Sequence, residues 1–108
     1  MTKISARNSD GYEAPLGLAA DPVVLSLPDG ALSVLLVRRQ EAPARGLWSL
    51  PGGFVGRGEE PGETVVRKLT EKTGLPPIYL EQLRTYAQPG RDPRGWLPAV
   101  AYLARFPG

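Results

Sequence analysis

The sequence predicts an α/β (α+β) domain in which a mixed β-sheet packs on one helix. Three observations carry this. Leucine-rich and β-branched runs at 21–27 and 31–39 flank Pro28-Asp29-Gly30, the pattern of strands joined by a turn. Val65, Val66 and Leu69 form an apolar stripe at helical spacing within 63–73. Strand-like runs at 78–86 and 97–106 follow, so strands stand before and after one central helix, an order that suggests a mixed sheet.

Residues 1–20 are polar or rich in Gly, Ala and Pro without periodicity, and are expected to form a mobile N-terminal tail to a domain over 21–108. The near-continuous apolar run Val34 to Val37 predicts a strand covered on both faces. A loop over 41–46 leads to a short strand at 47–50 and a turn at Pro51-Gly52-Gly53. The helix is predicted from Glu63, whose charge complements the N-terminal dipole, to Thr73, with Gly74 as its terminator and Pro76-Pro77 blocking continuation. A turn-rich loop over 88–95 separates the last two strands. One helix covers one face of a sheet, so the other face calls for a cover; the expectation is a truncated domain or one completed by a partner.

Composition narrows the chemistry. At 108 residues there is room for one domain with a modest core. A net charge of +2 (13 basic minus 11 acidic residues) is too small for nucleic-acid binding by bulk electrostatics. With no cysteine there is neither a disulfide framework nor a thiolate zinc site, and with no histidine the usual general base and transition-metal ligand are missing. A metal here would be a hard cation such as magnesium on oxygen ligands. The N-terminus has no apolar signal-peptide core and no run has the length of a membrane span, so no membrane association and a cytoplasmic location are expected.

The most specific signal is the stretch Gly53 to Leu75. Gly53, Glu59, Arg67, Leu69, Glu71, Gly74 and Leu75 fit the spacing G-x5-E-x7-R-E-U-x-E-E-x-G-U, where U is a bulky aliphatic residue. Lys68 and Lys72 stand where that pattern has glutamates. On these residues the chain resembles the Nudix superfamily. Trp48 to Val55 before the box, with Tyr79 to Tyr86 and Arg91 to Trp96 after it, look like one branch: the NrtR-type regulators of NAD metabolism and their ADP-ribose pyrophosphatase relatives. The resemblance covers roughly residues 20–106 and implies the Nudix fold, a domain that senses ADP-ribose or a related nucleoside diphosphate derivative, and a homodimer. In those regulators a second Nudix helix and a DNA-binding winged helix follow. The chain ends at Gly108, before both, so DNA binding by this chain alone is not expected.

In an active Nudix enzyme, three glutamates on one helix face hold magnesium, which activates water. The equivalent face here is Lys68, Glu71 and Lys72, so its formal charge moves from −3 (three Glu) to +1 (two Lys minus one Glu). Each unit charge about 4 Å from a metal is worth roughly 1 kcal/mol in water and up to about 4 kcal/mol near a protein surface. Magnesium is therefore expected to bind weakly, through Glu71, or not at all, and Glu71 is the one catalytic candidate should the chain hydrolyse.

Lys68 and Lys72 can instead bind phosphate directly, with no cofactor required; equally, they can pair with Glu71 on a solvated face. Gly52 and Gly53 allow backbone to approach a ligand. Arg39 at a strand end, and Arg91 with Arg94 in the last loop, can reach phosphate oxygens. Phe54, Trp48 and Trp96 can stack on adenine or fill the core. Glu59 and Arg67 are expected to brace the loop against the helix, with Gly74 closing it. Three readings stay open: a catalytically degenerate ADP-ribose-binding domain, an active magnesium-dependent hydrolase, and an interaction or dimerisation domain without ligand.

Overall fold

A computed structural model describes residues 6–7, 13–42 and 44–107. Its strands are β1 (Ala6–Arg7), β2 (Glu13–Ala14), β3 (Ala19–Ser26), β4 (Ser33–Val34), β5 (Val37–Arg38), β6 (Trp48–Ser49), β7 (Gly53–Phe54), β8 (Tyr79–Tyr86) and β9 (Ala99–Arg105), with one α-helix, α1 (Pro61–Thr73). β3 and β9 run parallel, in register from Ala19↔Ala99 to Val24↔Ala104. β8 is antiparallel to β9 on its far side. The other side of β3 is shared by β7 at Ala19–Ala20 and β4 at Leu25–Ser26. The sheet is mixed, as expected. Of the expected tail, Ala6–Arg7 and Glu13–Ala14 form a small antiparallel ladder; residues 1–5 and 8–12 lie outside the described residues.

Strand alternation decides the core. Ala20, Val24, Val100, Tyr102 and Ala104 face one side of the sheet, where they bury against Val65 and Leu69 of α1. Alanines at 20 and 104 are fully buried, short enough for the helix to seat closely. Pro22 is also buried in this strand, although proline cannot donate to a ladder. The side of β3 that its even-numbered residues address accepts from Val55 N–H at Leu18 O (2.8 Å) and from Leu35 N–H at Val24 O (2.9 Å). Pro22 lies between these two bonds, in the gap between β7 and β4, where no strand asks for its N–H.

The structure departs from the expected elements at four places. β3 begins at Ala19, two residues inside the expected tail, with Ala20 fully buried in the core. The single strand expected over 31–39 is two short ones, because the chain pairs with β3 through Val34 and Leu35 and then leaves it to pair Val37 with Ser49 of β6. Val34 and Leu36 are 43% and 39% exposed, so the run is not covered on both faces. Gly53, read as part of a turn, begins strand β7. The helix starts at Pro61, two residues early, because proline is tolerated in a first turn and Glu63 accepts the Glu60 N–H at 3.0 Å. It ends at Gly74, whose φ of 80° only glycine takes without strain and whose N–H donates to Thr70 O at 2.8 Å. Of the predicted stripe, Val65 and Leu69 are buried and Val66 is exposed; Thr64 is buried in its place. Among the described residues no helix is long and apolar enough to cross a membrane.

Glu59 fixes the loop before α1. Its Oε1 accepts from Gly56 N–H (2.9 Å), Thr64 Oγ1 (2.7 Å) and Arg67 Nη2 (3.0 Å), and its Oε2 from Arg67 Nε (2.9 Å). Arg67 also donates from Nη2 to Phe54 O at 3.3 Å, which ties β7 to the same helix. The expected brace of Glu59 and Arg67 is therefore present. Hydrogen bonds from Arg67, then from Gly56 and Thr64, hold the Glu59 carboxyl at about 2, below its ordinary 4.5.

Two predictions follow from this packing. Leu69→Ala empties a fully buried site and is expected to cost about 2–5 kcal/mol, read as a fall in the urea midpoint. The Glu59 contribution to stability is complete above about pH 4.5 and is lost as pH falls toward about 2, since the unfolded chain binds the proton first. Urea midpoints taken through that window should fall more steeply for the wild type than for Glu59→Gln.

Candidate functional site

Three consecutive residues at the start of β7 organise the site. The Gly52 Cα is packed so tightly against β3 that a Cβ there would overlap the Asp21 carboxylate and the Ala20 carbonyl. At Gly53 a Cβ would collide with the Cε of Lys68, so the aliphatic stem of that lysine lies directly on the Gly53 backbone. Phe54 faces the opposite side, 53% exposed, with the Arg94 guanidinium 5.1 Å from its ring centroid. Helix and last loop thus meet the same short strand from its two faces.

On the helix side Lys68 is half-buried, its side chain 26% exposed, and its Nζ stands 3.5 Å from Glu71 Oε2. Glu71 also receives Arg67 Nη1 at 3.4 Å. The ion pairing weighed for this face therefore exists for Lys68, as a long and half-exposed contact of the kind worth little. Lys72 is exposed one turn further on, with no ion-pair partner among the described residues.

On the other side the loop after β8 is internally braced. Arg94 donates from its backbone N–H and Nε to Asp92 Oδ1 (2.9 and 3.0 Å) and from Nη2 to Oδ2 (2.8 Å). Those bonds hold Asp92 below the usual carboxylate range. Arg91 Nη2 donates to Leu97 O at 2.8 Å and Trp96 Nε1 to Ala87 O at 2.9 Å. Trp96 is thereby committed to the loop. Asp21, on β3, faces this loop: burial pushes its carboxyl up, and the charges of Arg91 and Arg94 pull it back down.

Of the sequence candidates, Gly52, Gly53, Phe54, Lys68 and Arg94 meet around β7, and Arg91 lies in the same loop as Arg94 with its guanidinium bonded to Leu97 O. Arg39 belongs to the β5–β6 hairpin, where its N–H donates to Leu47 O at 2.8 Å. In the same hairpin Arg38 lies over Trp48, 5.0 Å from the ring centroid. Neither Trp48 nor Phe54 is in the core. Asp21 and Thr64 were missed. An acid amid the apolar residues of a predicted strand was a usable signal for Asp21; nothing in the sequence marked Thr64.

The resemblance implies magnesium held on carboxylates of the helix. Among the described residues no three carboxylate, histidine or cysteine side chains converge. Glu71 is a lone carboxylate between two cations, and both Glu59 oxygens are occupied. A shallow groove of about 440 Å³, lined by Glu59, Gly62, Glu63, Val66, Arg67 and Leu80, opens along another flank of α1. It contains neither Lys68 nor any part of β7, and it is not where the candidate residues gather.

Comparison with known proteins identifies the family. The family profile for the NUDIX domain matches residues 17–108. The chain is 40% identical over 95 residues to the ADPR responsive transcriptional repressor NtrR of Acinetobacter baylyi, covering 86% of this chain and 38% of that protein. It is 43% identical over 70 residues to the ADP-ribose pyrophosphatase of Methanocaldococcus jannaschii, covering 65% of this chain and 41% of that one. The chain thus spans about two fifths of the length of these curated relatives. The NUDIX domain of Shewanella oneidensis NrtR, solved in complex with ADP-ribose, superposes with a TM-score of 0.80 at 42% identity, over 94% of this chain and 66% of that one. With the profile spanning nearly all of the sequence, and the stretch Gly53 to Leu75 folded as strand, braced loop and capped helix, the chain belongs to the NUDIX domain family.

Proposed function

We propose that this chain is the ligand-sensing domain of an NrtR-type regulator of NAD metabolism, that it binds ADP-ribose without a metal, and that it leaves the ligand intact. One observation carries the reading: the stem of Lys68 lies on the Gly53 backbone, placing an ammonium where an active enzyme has the first of its three metal-binding helix glutamates. A cation there serves a diphosphate directly and repels magnesium. Because the Glu71 contact is long and half-exposed, a phosphate can displace it. Lys72 adds charge one turn on, Arg94 and Arg91 supply guanidiniums from the far side of β7, and the exposed Phe54 ring offers a stacking surface. The complex of the S. oneidensis domain with ADP-ribose supports this ligand class.

The second reading, a metal-dependent hydrolase, is favoured by the likeness to the M. jannaschii pyrophosphatase. Release of AMP from ADP-ribose with magnesium or manganese separates the two: robust turnover that Glu71→Gln abolishes would establish the enzyme. DNA binding is assigned to a part of the regulator beyond this chain; a shift of labelled promoter DNA by these 108 residues would contradict that. A cytoplasmic location suits such a regulator.

Calorimetry tests the central claim. ADP-ribose affinity is expected to be the same with EDTA and with magnesium, and Lys68→Glu is expected to weaken it about tenfold or more, ~1.4 kcal/mol. Binding that vanishes in EDTA would sink the metal-free reading.

A further inference from the structure

The Asp21 carboxylate has no part in the phosphate contacts proposed above, which are all cationic. It stands in β3 between Ala20 and Pro22, both fully buried, and is itself half-buried. Among the described residues it is in no ion pair and receives no hydrogen bond. The cations that face it are hydrogen-bonded elsewhere: Arg94 through Nε and Nη2 to Asp92, and Arg91 through Nη2 to Leu97 O. They act on Asp21 through space only. A carboxylate drawn partly out of water without a donor costs free energy, which a ligand donor would recover.

Its position says what kind of donor. Ala20 faces α1, so Asp21 and Ala19 face away from the helix, and Phe54, which pairs with Ala19, stands on that same face. The Gly52 Cα lies directly against Asp21 Oδ1, leaving room for the carboxylate only because it carries no Cβ. The next residue, Gly53, meets the stem of Lys68 on the other face. Two adjacent glycines thus separate a lysine from a carboxylate by the thickness of one strand. A diphosphate satisfies the cations and is repelled by the carboxylate, which instead accepts from an uncharged donor beside the phosphates. In a nucleoside diphosphate derivative the groups bonded directly to the diphosphate are pentoses, and the base stands one sugar further off. Two carboxylate oxygens match the two vicinal hydroxyls of a ribose. Dinucleotide-binding folds use an acidic residue on ribose in the same way.

We propose that Asp21 recognises ribose in this site: its carboxylate accepts hydrogen bonds from the vicinal hydroxyls of a ribose adjoining the bound diphosphate. This rests on the reading that the domain binds ADP-ribose, and deepens it from the phosphates to the sugar. A ligand without the hydroxyl leaves the acceptor unpaired, and a site built for a hydroxyl rejects such an analogue strongly.

Calorimetry in EDTA, with the wild type and Asp21→Ala, tests this. The ligands are ADP-ribose, its analogues deoxygenated at the adenosine 2′ or 3′ position, the methyl ester of ADP, which lacks the terminal ribose, and IDP-ribose, which lacks the base amine. The wild type should prefer ADP-ribose to at least one ribose-altered analogue by about tenfold or more. Asp21→Ala should bind that analogue and ADP-ribose within about twofold of each other, while its preference between ADP-ribose and IDP-ribose matches the wild type. Comparing preferences cancels whatever the loss of an anion does to phosphate binding in general. Asp21→Asn keeps the shape but turns one acceptor oxygen into a donor, and should cut the same preference about threefold or more. Melting followed by circular dichroism shows which variants are folded. Preferences that survive in both folded variants overturn the proposal and leave Asp21 as a brace for the loop. A preference that changes for IDP-ribose alone also overturns it, since the donor is then the base. A wild type that binds none of these ligands overturns the ADP-ribose reading and this inference with it.

Discussion

The Glu59 carboxylate is where the parts of this domain are tied together. The loop comes to it through the Gly56 amide, the helix through Thr64 and Arg67, and β7 through the Arg67 guanidinium that also reaches the Phe54 carbonyl. A bidentate arginine fixes direction as well as distance. Together with the ladder to β3, it helps register β7 against the helix, where Lys68 lies on the Gly53 backbone. The polar part of the box is therefore architecture. It joins loop, strand and helix through groups other than the side chains at positions 68 and 72.

That separation explains how the scaffold tolerates an inverted charge. Lys68 contacts Gly53 through methylene groups, and its ammonium reaches past them toward Glu71. The packing is indifferent to what terminates the side chain; the electrostatics are not. On the other face of β7 charge is balanced more closely, since Arg91 and Arg94 stand against Asp21 and Asp92. The two faces thus differ in kind: an excess of cation on the helix, and a nearly neutral network in the loop whose members orient one another.

Much of this was legible in the sequence, and the reasons are physical. The helix announced itself because burial at 3.6-residue spacing and a left-handed glycine stop are local properties, as is the fixed spacing of the box. Pairing partners are not local. Nothing in Ala31 to Arg39 says that the chain exchanges β3 for β6 at Leu36, so one apolar run was read as one strand. Pro61-Gly62 looked like loop, although proline at the head of a helix costs little. The buried role of Thr64 depends on a carboxylate five residues earlier turning back to meet it. Arg91 and Arg94 were recognisable as a charged, aromatic loop, but Asp21, the group they answer to, comes from the other end of the chain.

Pro22 gives the sheet a particular mechanics. The side of β3 that carries it is bonded near one end to β7 and near the other to β4, with a donor-free position between. The two attachments cannot zip together into one continuous ladder. The excursion from Leu36 to Gly52, including the hairpin with Arg38, Arg39 and Trp48, is consequently suspended between two short clamps, like a loop of cable pinned at both ends. Load applied to that hairpin reaches β3 at its two extremities and bypasses the buried centre against which α1 is seated. The excursion is thereby attached to β3 only near the strand's two ends, away from the buried centre where α1 is seated.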